Sequence, residues 1–176
     1  MKTLLTLSTA MCLLSCGSCH AQKMNDEMPY DNSTVQTLNL NRYLGAWYEI
    51  ARFDHSFERD MDYTRAYYEL RPDGKVDVFN SGFKHGKFKM AKGKAKLTDD
   101  PARLRVSFFG PFYSDYRVLY IDPNYQYVLV GSKSPKYLWI LSRKPQMDVT
   151  SKYLLVNEAA MRGYDVDKLI WVKQYR

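Results

Sequence analysis

The chain has 176 residues and three cysteines, with 45% hydrophobic residues, 15% aromatic residues and a formal net charge of +7. This length is enough for one domain with a sizeable core and a short additional segment. No arginine-rich run or recognition helix accompanies the positive charge, so the sequence offers no support for nucleic-acid binding. The charge instead favours a solvated surface or contact with anionic lipids or ligands.

The N-terminus has the pattern of a secretory signal. A basic start at Lys2 precedes an apolar run over residues 4–14, which is too short to cross a membrane as a helix. The run ends in Leu13-Leu14-Ser15-Cys16, which resembles the box of bacterial lipoproteins. That resemblance implies cleavage before Cys16, a diacylglycerol on its thiol and an acylated new N-terminus.

These features divide the chain into a predicted lipoprotein signal peptide at 1–15, a polar tether at 16–38 and a barrel domain at 39–176. Gly17 stands where lipoproteins retained at the inner membrane of enterobacteria have aspartate, so the outer membrane is the expected location. Several acyl chains anchor stably, because each buried methylene contributes about 0.8 kcal/mol. The alternative is a plain signal peptide cut near Ala21, which gives a soluble secreted or periplasmic protein.

The cysteines restrict the chemistry of the predicted domain. Cys12, Cys16 and Cys19 all precede it, so the domain has no disulfide, no cysteine metal site and no cysteine nucleophile. We predict neither a cofactor nor a metal site.

Residues 41–53 introduce the folded domain. They predict a short helical turn, a hinge at Gly45 and a first strand that begins at Trp47. Glycine suits the hinge because it adopts backbone angles closed to other residues. A large flat side chain at this point is well placed to plug one end of a sheet-built core; an ordinary buried tryptophan beside a turn is the alternative.

From Trp47 onward the chain is a succession of strand patterns separated by turn signals such as Pro72-Asp73-Gly74. The period then changes to that of an amphipathic helix over residues 150–162, with Thr150 as N-cap and Gly163 after its end. The predicted strands cover residues 47–53, 63–71, 75–83, 87–98, 102–109, 113–121, 127–132 and 137–143, and a short final strand covers 169–174.

The strand at 87–98 changes its alternation part-way. Phe88 and Met90 are apolar at even positions, whereas lysines occupy the even positions from Lys92 to Lys96. One extra residue near Met90 and Ala91 would bring the two halves into agreement, so we predict a β-bulge there.

Eight successive strands followed by one helix predict an all-β fold. The arrangement is an eight-stranded up-and-down antiparallel barrel with one C-terminal α-helix packed on its wall. Closure removes the exposed edges of a sheet. Eight strands leave an interior that can hold one small ligand.

Four stretches of the chain resemble the lipocalin family. Gly45 and Trp47 in the first strand, Asp122 after the sixth and Arg143 at the end of the eighth match its three motif regions, although Asp122 is followed by proline where the family often has tyrosine. The wider stretches are similar to the bacterial outer-membrane branch and extend over about residues 39–174. They are 42–55, 106–113, 137–143 and the C-terminal pieces 164–166 and 170–172.

The resemblance implies that Gly45, Trp47, Asp122 and Arg143 belong to the closed end of the barrel. In the family the arginine lies across the tryptophan as a cation–π pair, a contact of about 0.5–2 kcal/mol. In the family the connections after the first, third, fifth and seventh strands surround the other, open end of the barrel. In this chain the first of these is acidic, whereas the third and seventh carry lysines, and such a mixed rim could hold an anionic head group. The predicted rim residues are Lys84, Lys87, Lys133 and Lys136; ordinary solvated loop charges are the alternative.

The inward positions of the predicted strands supply the wall of a cavity. Such a wall offers apolar area at roughly 25 cal/mol per Å² removed from water, and tyrosine hydroxyls can bind a glycerol or ester oxygen. The sequence does not decide whether Trp139 faces the ligand or the base. The predicted lining is Thr64, Ala66, Tyr68, Val76, Val78, Leu104, Val106, Phe108, Tyr116, Val118 and Tyr120, some of which must be plain core.

Relatives in this branch bind fatty acids and lysophospholipids, so the resemblance implies a lipid-anchored protein that stores or transports such lipids for envelope maintenance under stress. A homodimer has precedent in the branch. The alternatives are a carrier of another small hydrophobic ligand, a lipid-modifying enzyme with His55 near Glu58 and Asp60 as its base, a haem carrier, and an interaction protein that uses its outer wall. A haem carrier needs a histidine inside the barrel, which the strand alternation does not offer.

Overall fold

The computed structural model describes residues 30–174, and these form one closed barrel. Neighbouring strands pair antiparallel in chain order, and β1 pairs with both β2 and β8, which closes the sheet. The strands are β1 Gly45–Arg52, β2 Met61–Leu70, β3 Val76–Lys84, β4 Lys87–Leu97, β5 Arg103–Phe109, β6 Phe112–Ile121, β7 Tyr127–Gly131, β8 Leu138–Ser142 and β9 Ile170–Trp171. The helices are α1 Leu40–Tyr43 and α2 Val149–Met161, with a 3-10 turn at Val166–Lys168.

The predicted fold class is confirmed. The short β9 pairs only with the end of β1, through Ala51 and Arg52, so eight strands make the barrel itself. We call the end that carries the β1–β2, β3–β4, β5–β6 and β7–β8 connections the mouth, and the opposite end, where α1 lies, the base. No helix in residues 30–174 combines the length and the apolar character needed to cross a membrane.

Two apolar clusters hold the barrel together. One fills the interior near the base around Trp47, Val76, Leu104 and Val118. The other lies between the outside of the barrel and α2, where Leu155 and Ala159 pack against a group that includes Leu119, Leu129 and Ile140. The alternation of strand residues supplies both, because successive side chains point to opposite faces.

The prediction of a bulge in the fourth strand is wrong. The register between β3 and β4 runs without a break from Val76–Ala95 to Lys84–Lys87. The alternate positions from Phe88 to Lys96 are all exposed to solvent. The outward face of β4 changes from apolar to basic side chains along the strand, while the pairing register of its backbone stays the same.

The N-cap prediction for the helix is also wrong. Helix α2 starts at Val149, and the Asp148 carboxylate accepts hydrogen bonds from the Ser151 amide at 2.9 Å and the Ser151 hydroxyl at 2.7 Å. Thr150 lies inside the first turn. Gly163 follows the helix in the left-handed region, with φ of +81°, as a C-terminal glycine is expected to do.

The predicted tether is too long at its C-terminal side. Residues 30–38 lie along the barrel wall from the mouth to the base, where the Val35 amide donates to the Val118 carbonyl at 3.0 Å and the Thr34 hydroxyl donates to Asp100 at 2.7 Å. Val35 and Leu38 pack on the interior cluster, which explains why this polar-looking stretch is ordered against the fold. Cys16, the signal peptide and the rest of the predicted tether lie outside the described residues.

Candidate ligand cavity

The base is sealed by contacts between α1, the start of β1 and the end of β8. The guanidinium carbon of Arg143 lies 3.8 Å from the Trp47 ring centroid. Arg143 also donates to the carbonyls of Ala46 at 2.8 Å, Arg42 at 2.6 Å and Tyr43 at 3.1 Å. The Trp47 indole nitrogen donates to the Tyr43 carbonyl at 2.8 Å, so every polar atom of the pair has a partner, with Trp47 fully buried and Arg143 half-buried above it.

Gly45 is required where Arg143 crosses β1. Its φ is +91°, and an added Cβ would lie 3.5 Å from an Arg143 guanidinium nitrogen, so the strain is mainly in the backbone. Asp122 stabilises a turn at the base of the barrel. Its carboxylate accepts from the amides of Asn124, Gln126 and Tyr127 at 2.9, 2.6 and 2.6 Å, which fixes the β6–β7 turn.

Above the base lies a cavity of about 690 Å³ that opens at the mouth. This volume is within the usual range for small-molecule sites, and the wall is mainly apolar. Of the predicted ligand residues, those that line the cavity are Thr64, Ala66, Tyr68, Val78, Val106, Phe108 and Tyr116.

The prediction that Val118 and Tyr120 line the cavity is wrong. Val118 is completely buried in the interior cluster below it, as are Val76 and Leu104. Tyr120 lies on the outside, against the cluster under α2. Tyr120 points outward because of a register shift between Val118 and Tyr120, since one extra residue in a strand exchanges its inner and outer faces.

Of the four predicted rim lysines, only Lys84 lines the cavity. Lys87 lies beside the β3–β4 turn, and Lys133 and Lys136 are exposed on the β7–β8 connection. Two further basic residues that the sequence did not single out, Arg65 and Lys89, line the opening with Lys84. The cationic rim therefore centres on β2, β3 and β4.

The cavity floor carries a chain of tyrosine hydroxyls. The Tyr68 and Tyr116 hydroxyls are 2.9 Å apart, and the Tyr116 hydroxyl also bonds to that of Tyr43, which lies beneath. Burial raises the pKa of all three phenols, so they stay neutral. Neutral hydroxyls bonded to one another allow an apolar chain end to approach the floor at little cost.

One wall of the cavity carries buried charged groups that the sequence analysis missed. Arg52 donates to the Glu49 carboxylate at 2.6 Å and to the carbonyl of Glu58 at 2.7 Å, which ties the β1–β2 connection to the barrel. The indole nitrogen of Trp139 donates to the Glu58 carboxyl at 3.0 Å. Glu49, Glu58 and Trp139 all line the cavity, which answers the question that the sequence left open for Trp139.

Two carboxyl groups share one arginine on this wall. Burial, and then the charge of Glu49, raise the pKa of Glu58 to about 8. Burial also raises the pKa of Glu49, but the 2.6 Å contact with Arg52 opposes that shift. Since Arg52 can neutralise only one carboxylate, Glu49 is the ionised member and Glu58 carries the proton at neutral pH.

His55 is buried behind this wall. Its ring stacks on Phe57 and Tyr137 at centroid distances of 5.2 and 4.9 Å and lies tilted against Trp139 at 4.8 Å. Burial, helped by the charge of Arg52, lowers the pKa of His55 to about 4. In residues 30–174 no histidine lines the cavity, and no three histidine, cysteine or carboxylate side chains are grouped to hold a metal ion.

Comparison with known proteins agrees with this geometry. A family model described as a lipocalin-like domain matches residues 38–174. The chain is a lipocalin. It is 46% identical to the outer membrane lipoprotein Blc of Citrobacter freundii over 150 residues, which cover 83% of this chain and 85% of that one. It is 44% identical to temperature-induced lipocalin-1 of Arabidopsis thaliana over 147 residues, which cover 77% of this lipocalin and 78% of the plant protein.

Among solved structures, insecticyanin of the tobacco hornworm superposes with a TM-score of 0.70 at 22% identity. The match covers 83% of this lipocalin and 86% of that chain, and it shows the shared barrel fold. Lipocalins are binding proteins for small hydrophobic molecules, and the apolar cavity fits that role. The bacterial relatives also share a location, the outer membrane as lipoproteins, and this lipocalin belongs to the same compartment.

Proposed function

We propose that this lipocalin stores or transports fatty acids or lysophospholipids in its cavity, and that acyl chains on Cys16 anchor it in the outer membrane. The role that fits this combination is maintenance of the envelope under stress. The observation that carries the proposal is the cavity of about 690 Å³, apolar along its depth and cationic at its opening.

The apolar depth suits an acyl chain. Val78, Val106, Phe108 and Leu141 contribute side chains without polar atoms to the wall. A chain that leaves water for such a wall gains about 0.8 kcal/mol per methylene. The hydroxyls on the floor already bond to one another, so the chain end does not have to compete for them.

The opening suits a polar head group. Arg65, Lys84 and Lys89 supply positive charge for a carboxylate or phosphate. The protonated Glu58 and the Trp139 indole lie on the facing wall, where a carboxyl proton can be donated to a glycerol or ester oxygen. A fatty acid uses the cationic side alone, whereas a lysophospholipid can use both.

The test is to purify residues 17–176 from a bacterial host and identify co-purified lipids by mass spectrometry, then to displace a fluorescent fatty acid with candidate lipids. We expect bound acyl lipids and displacement at a ratio of one per chain. If no acyl lipid is recovered and no fatty acid is displaced, the proposal is wrong, and another small hydrophobic ligand becomes the leading candidate.

A matched pair of variants ties binding to the cavity. Ala91 lines the cavity near the mouth, and Lys92, its neighbour on β4, is exposed on the outer face. Ala91→Trp should weaken fatty-acid binding at least about tenfold, because the indole fills space that the acyl chain needs. Lys92→Trp adds the same side chain outside and should bind normally.

A further inference from the structure

Large apolar side chains are exposed together at the mouth. Phe109 and Phe112 flank the Gly110-Pro111 tip of the β5–β6 hairpin and are 81% and 78% exposed. Phe57 on the β1–β2 connection and Phe88 and Met90 near the start of β4 are exposed at the same end of the barrel. None of the five belongs to either apolar cluster of the fold, so the stability of the barrel does not account for them. We call these five residues the mouth patch.

The mouth patch surrounds the entrance to the cavity. Phe57, Met90, Phe109 and Phe112 all border the cavity opening. Several large exposed apolar side chains gathered around one opening mark an interaction site. Whatever covers the patch therefore also covers the route by which a ligand enters.

Positive charge accompanies the apolar residues. Five lysines lie at this end, and within residues 30–174 none of them forms an ion pair: Lys84, Lys87, Lys89, Lys133 and Lys136. The acidic residues at the mouth are fewer. On the β1–β2 connection and the start of β2, Asp54 is paired with Arg59 at 2.6 Å and Glu58 is buried, which leaves Asp60 and Asp62. The balance favours an anionic partner.

The described chain also begins at the mouth. The Tyr30 hydroxyl donates to the Lys133 carbonyl, and the Asn32 amide donates to the Ser132 carbonyl at 3.5 Å, both in the β7–β8 connection. Cys16 precedes Tyr30 by 14 residues, which span at most about 50 Å when fully extended. An anchor at Cys16 would therefore hold the barrel by its open end.

We propose that the mouth patch and its lysines dock on the surface of a lipid bilayer that contains anionic lipid, so that the cavity opens directly onto the membrane. The phenylalanines enter the boundary between head groups and acyl chains, and the lysines lie over anionic head groups. A lipid can then move between bilayer and cavity without exposing its chain to water. The proposal depends on the proposed function only for what passes through the mouth.

The experiment measures which end of the anchored protein touches the membrane. The fold contains no cysteine, so in a Cys19→Ser background a single new cysteine can carry a fluorophore. One form carries it at Ser56, exposed at the mouth, and the other at Asn124, exposed at the base. The mature acylated proteins are reconstituted in vesicles of phosphatidylethanolamine and phosphatidylglycerol that contain a nitroxide lipid, which quenches fluorophores at the membrane surface.

We expect strong quenching at residue 56 and little at residue 124. Phe109→Ser with Phe112→Ser should reduce the quenching at residue 56 at least threefold, and vesicles without phosphatidylglycerol should reduce it as well. The matched control is Val149→Ser with Tyr153→Ser on α2, where the side chains are 82% and 74% exposed. This part of α2 starts beside Tyr127 at the base end of β7. That control should keep the quenching unchanged.

Several results would overturn the proposal. Equal quenching at the two positions, or no effect of the double serine variant at the mouth, would show that the patch does not dock. A third result would be a dimer in sedimentation whose fluorophores at residue 56 quench one another while the nitroxide lipid does not quench them. That result would show that a second copy of the chain covers the patch instead. Because the assay needs no ligand, docking can fail while fatty-acid displacement succeeds, or the reverse, so the two proposals are tested separately.

Discussion

Arg143 holds the base together through a stack and several hydrogen bonds at once. It covers the Trp47 ring and donates to carbonyls from α1, β1 and the β6–β7 turn, including that of Tyr125 at 3.3 Å. A lysine could keep the charge but could not reach these carbonyls together, because it lacks the planar fork of donors. Arg143 therefore stabilises the closed end of the barrel.

Arg143→Ala should lower the free energy of unfolding by about 2–4 kcal/mol, since it removes a cation–π contact and the hydrogen bonds to the part-buried carbonyls of Ala46 and Tyr125. Urea denaturation measures this. Arg59→Ala, which removes an exposed pair with Asp54, should change the free energy of unfolding far less. Fatty-acid affinity should change little, because the pair lies beneath the cavity floor; unchanged stability with lost binding would contradict this account.

Glu58 makes the stability of the protein depend on pH near neutrality. Its pKa is about 8 in the fold against an ordinary value of 4.5, so the folded protein keeps a proton that the unfolded chain releases. Stability therefore falls as pH rises from 4.5 to 8. His55 acts oppositely, because its pKa is about 4 against 6.5, and its contribution to stability rises from pH 4 to 6.5.

The effects of Glu58 and His55 on the free energy of unfolding oppose each other below pH 6.5. Between pH 6.5 and 8 only the effect of Glu58 remains. We expect the free energy of unfolding to fall by up to about 2 kcal/mol across that window, at no more than about 1.4 kcal/mol per pH unit. Glu58→Gln keeps an acceptor for Trp139 and should flatten the slope. The exposed Glu69→Gln should retain it. A wild-type profile that is flat from pH 6.5 to 8 would refute the protonation of Glu58.

At the scale of elements, the start of helix α2 shows which of two candidate residues becomes the N-cap. Both Asp148 and Thr150 are residue types that cap helices, and the sequence alone does not rank them. Asp148 is the N-cap residue in the structure, because its carboxylate accepts from both the amide and the hydroxyl of Ser151. It also accepts from the Tyr127 hydroxyl at 3.1 Å. These bonds lower the pKa of Asp148 to about 2.

Asp148→Ala should lower the melting temperature, because the first turn of α2 loses its acceptor. Thr150→Ala, two residues later, should have almost no effect. Thermal unfolding of the two variants side by side distinguishes them, and an equal loss in both would mean that the helix start is misassigned.

Strand β6 is the element whose details the sequence could not supply. Its alternating pattern predicts Tyr116, Val118 and Tyr120 on one face, and the first two do point inward. The shift after Val118 then sends Tyr120 to the outside, under α2. A bulge depends on the pairing of two strands, so a single strand's pattern does not reveal it.

At the scale of the whole molecule, the depth of the cavity sets which chains fit. Each methylene buried against the wall contributes about 0.8 kcal/mol, so two additional methylenes should tighten binding about 15-fold. Displacement of a fluorescent fatty acid by saturated acids of increasing length measures the series. We expect affinity to rise with length and then to level off once the chain fills the cavity. Affinity that does not depend on chain length would exclude an acyl chain as the buried part of the ligand.

The sequence by itself determined the barrel, its helix, the Trp47 and Arg143 pair and most of the cavity wall. These follow from periodicity and from short stretches that resemble the lipocalin family, and both are local properties. Only the tertiary structure decided the buried Glu49, Arg52 and Glu58 group, the outward position of Tyr120 and the exposed phenylalanines at the mouth. Each of these depends on which segments meet across the barrel, because burial, protonation and exposure are set by neighbours distant in the chain.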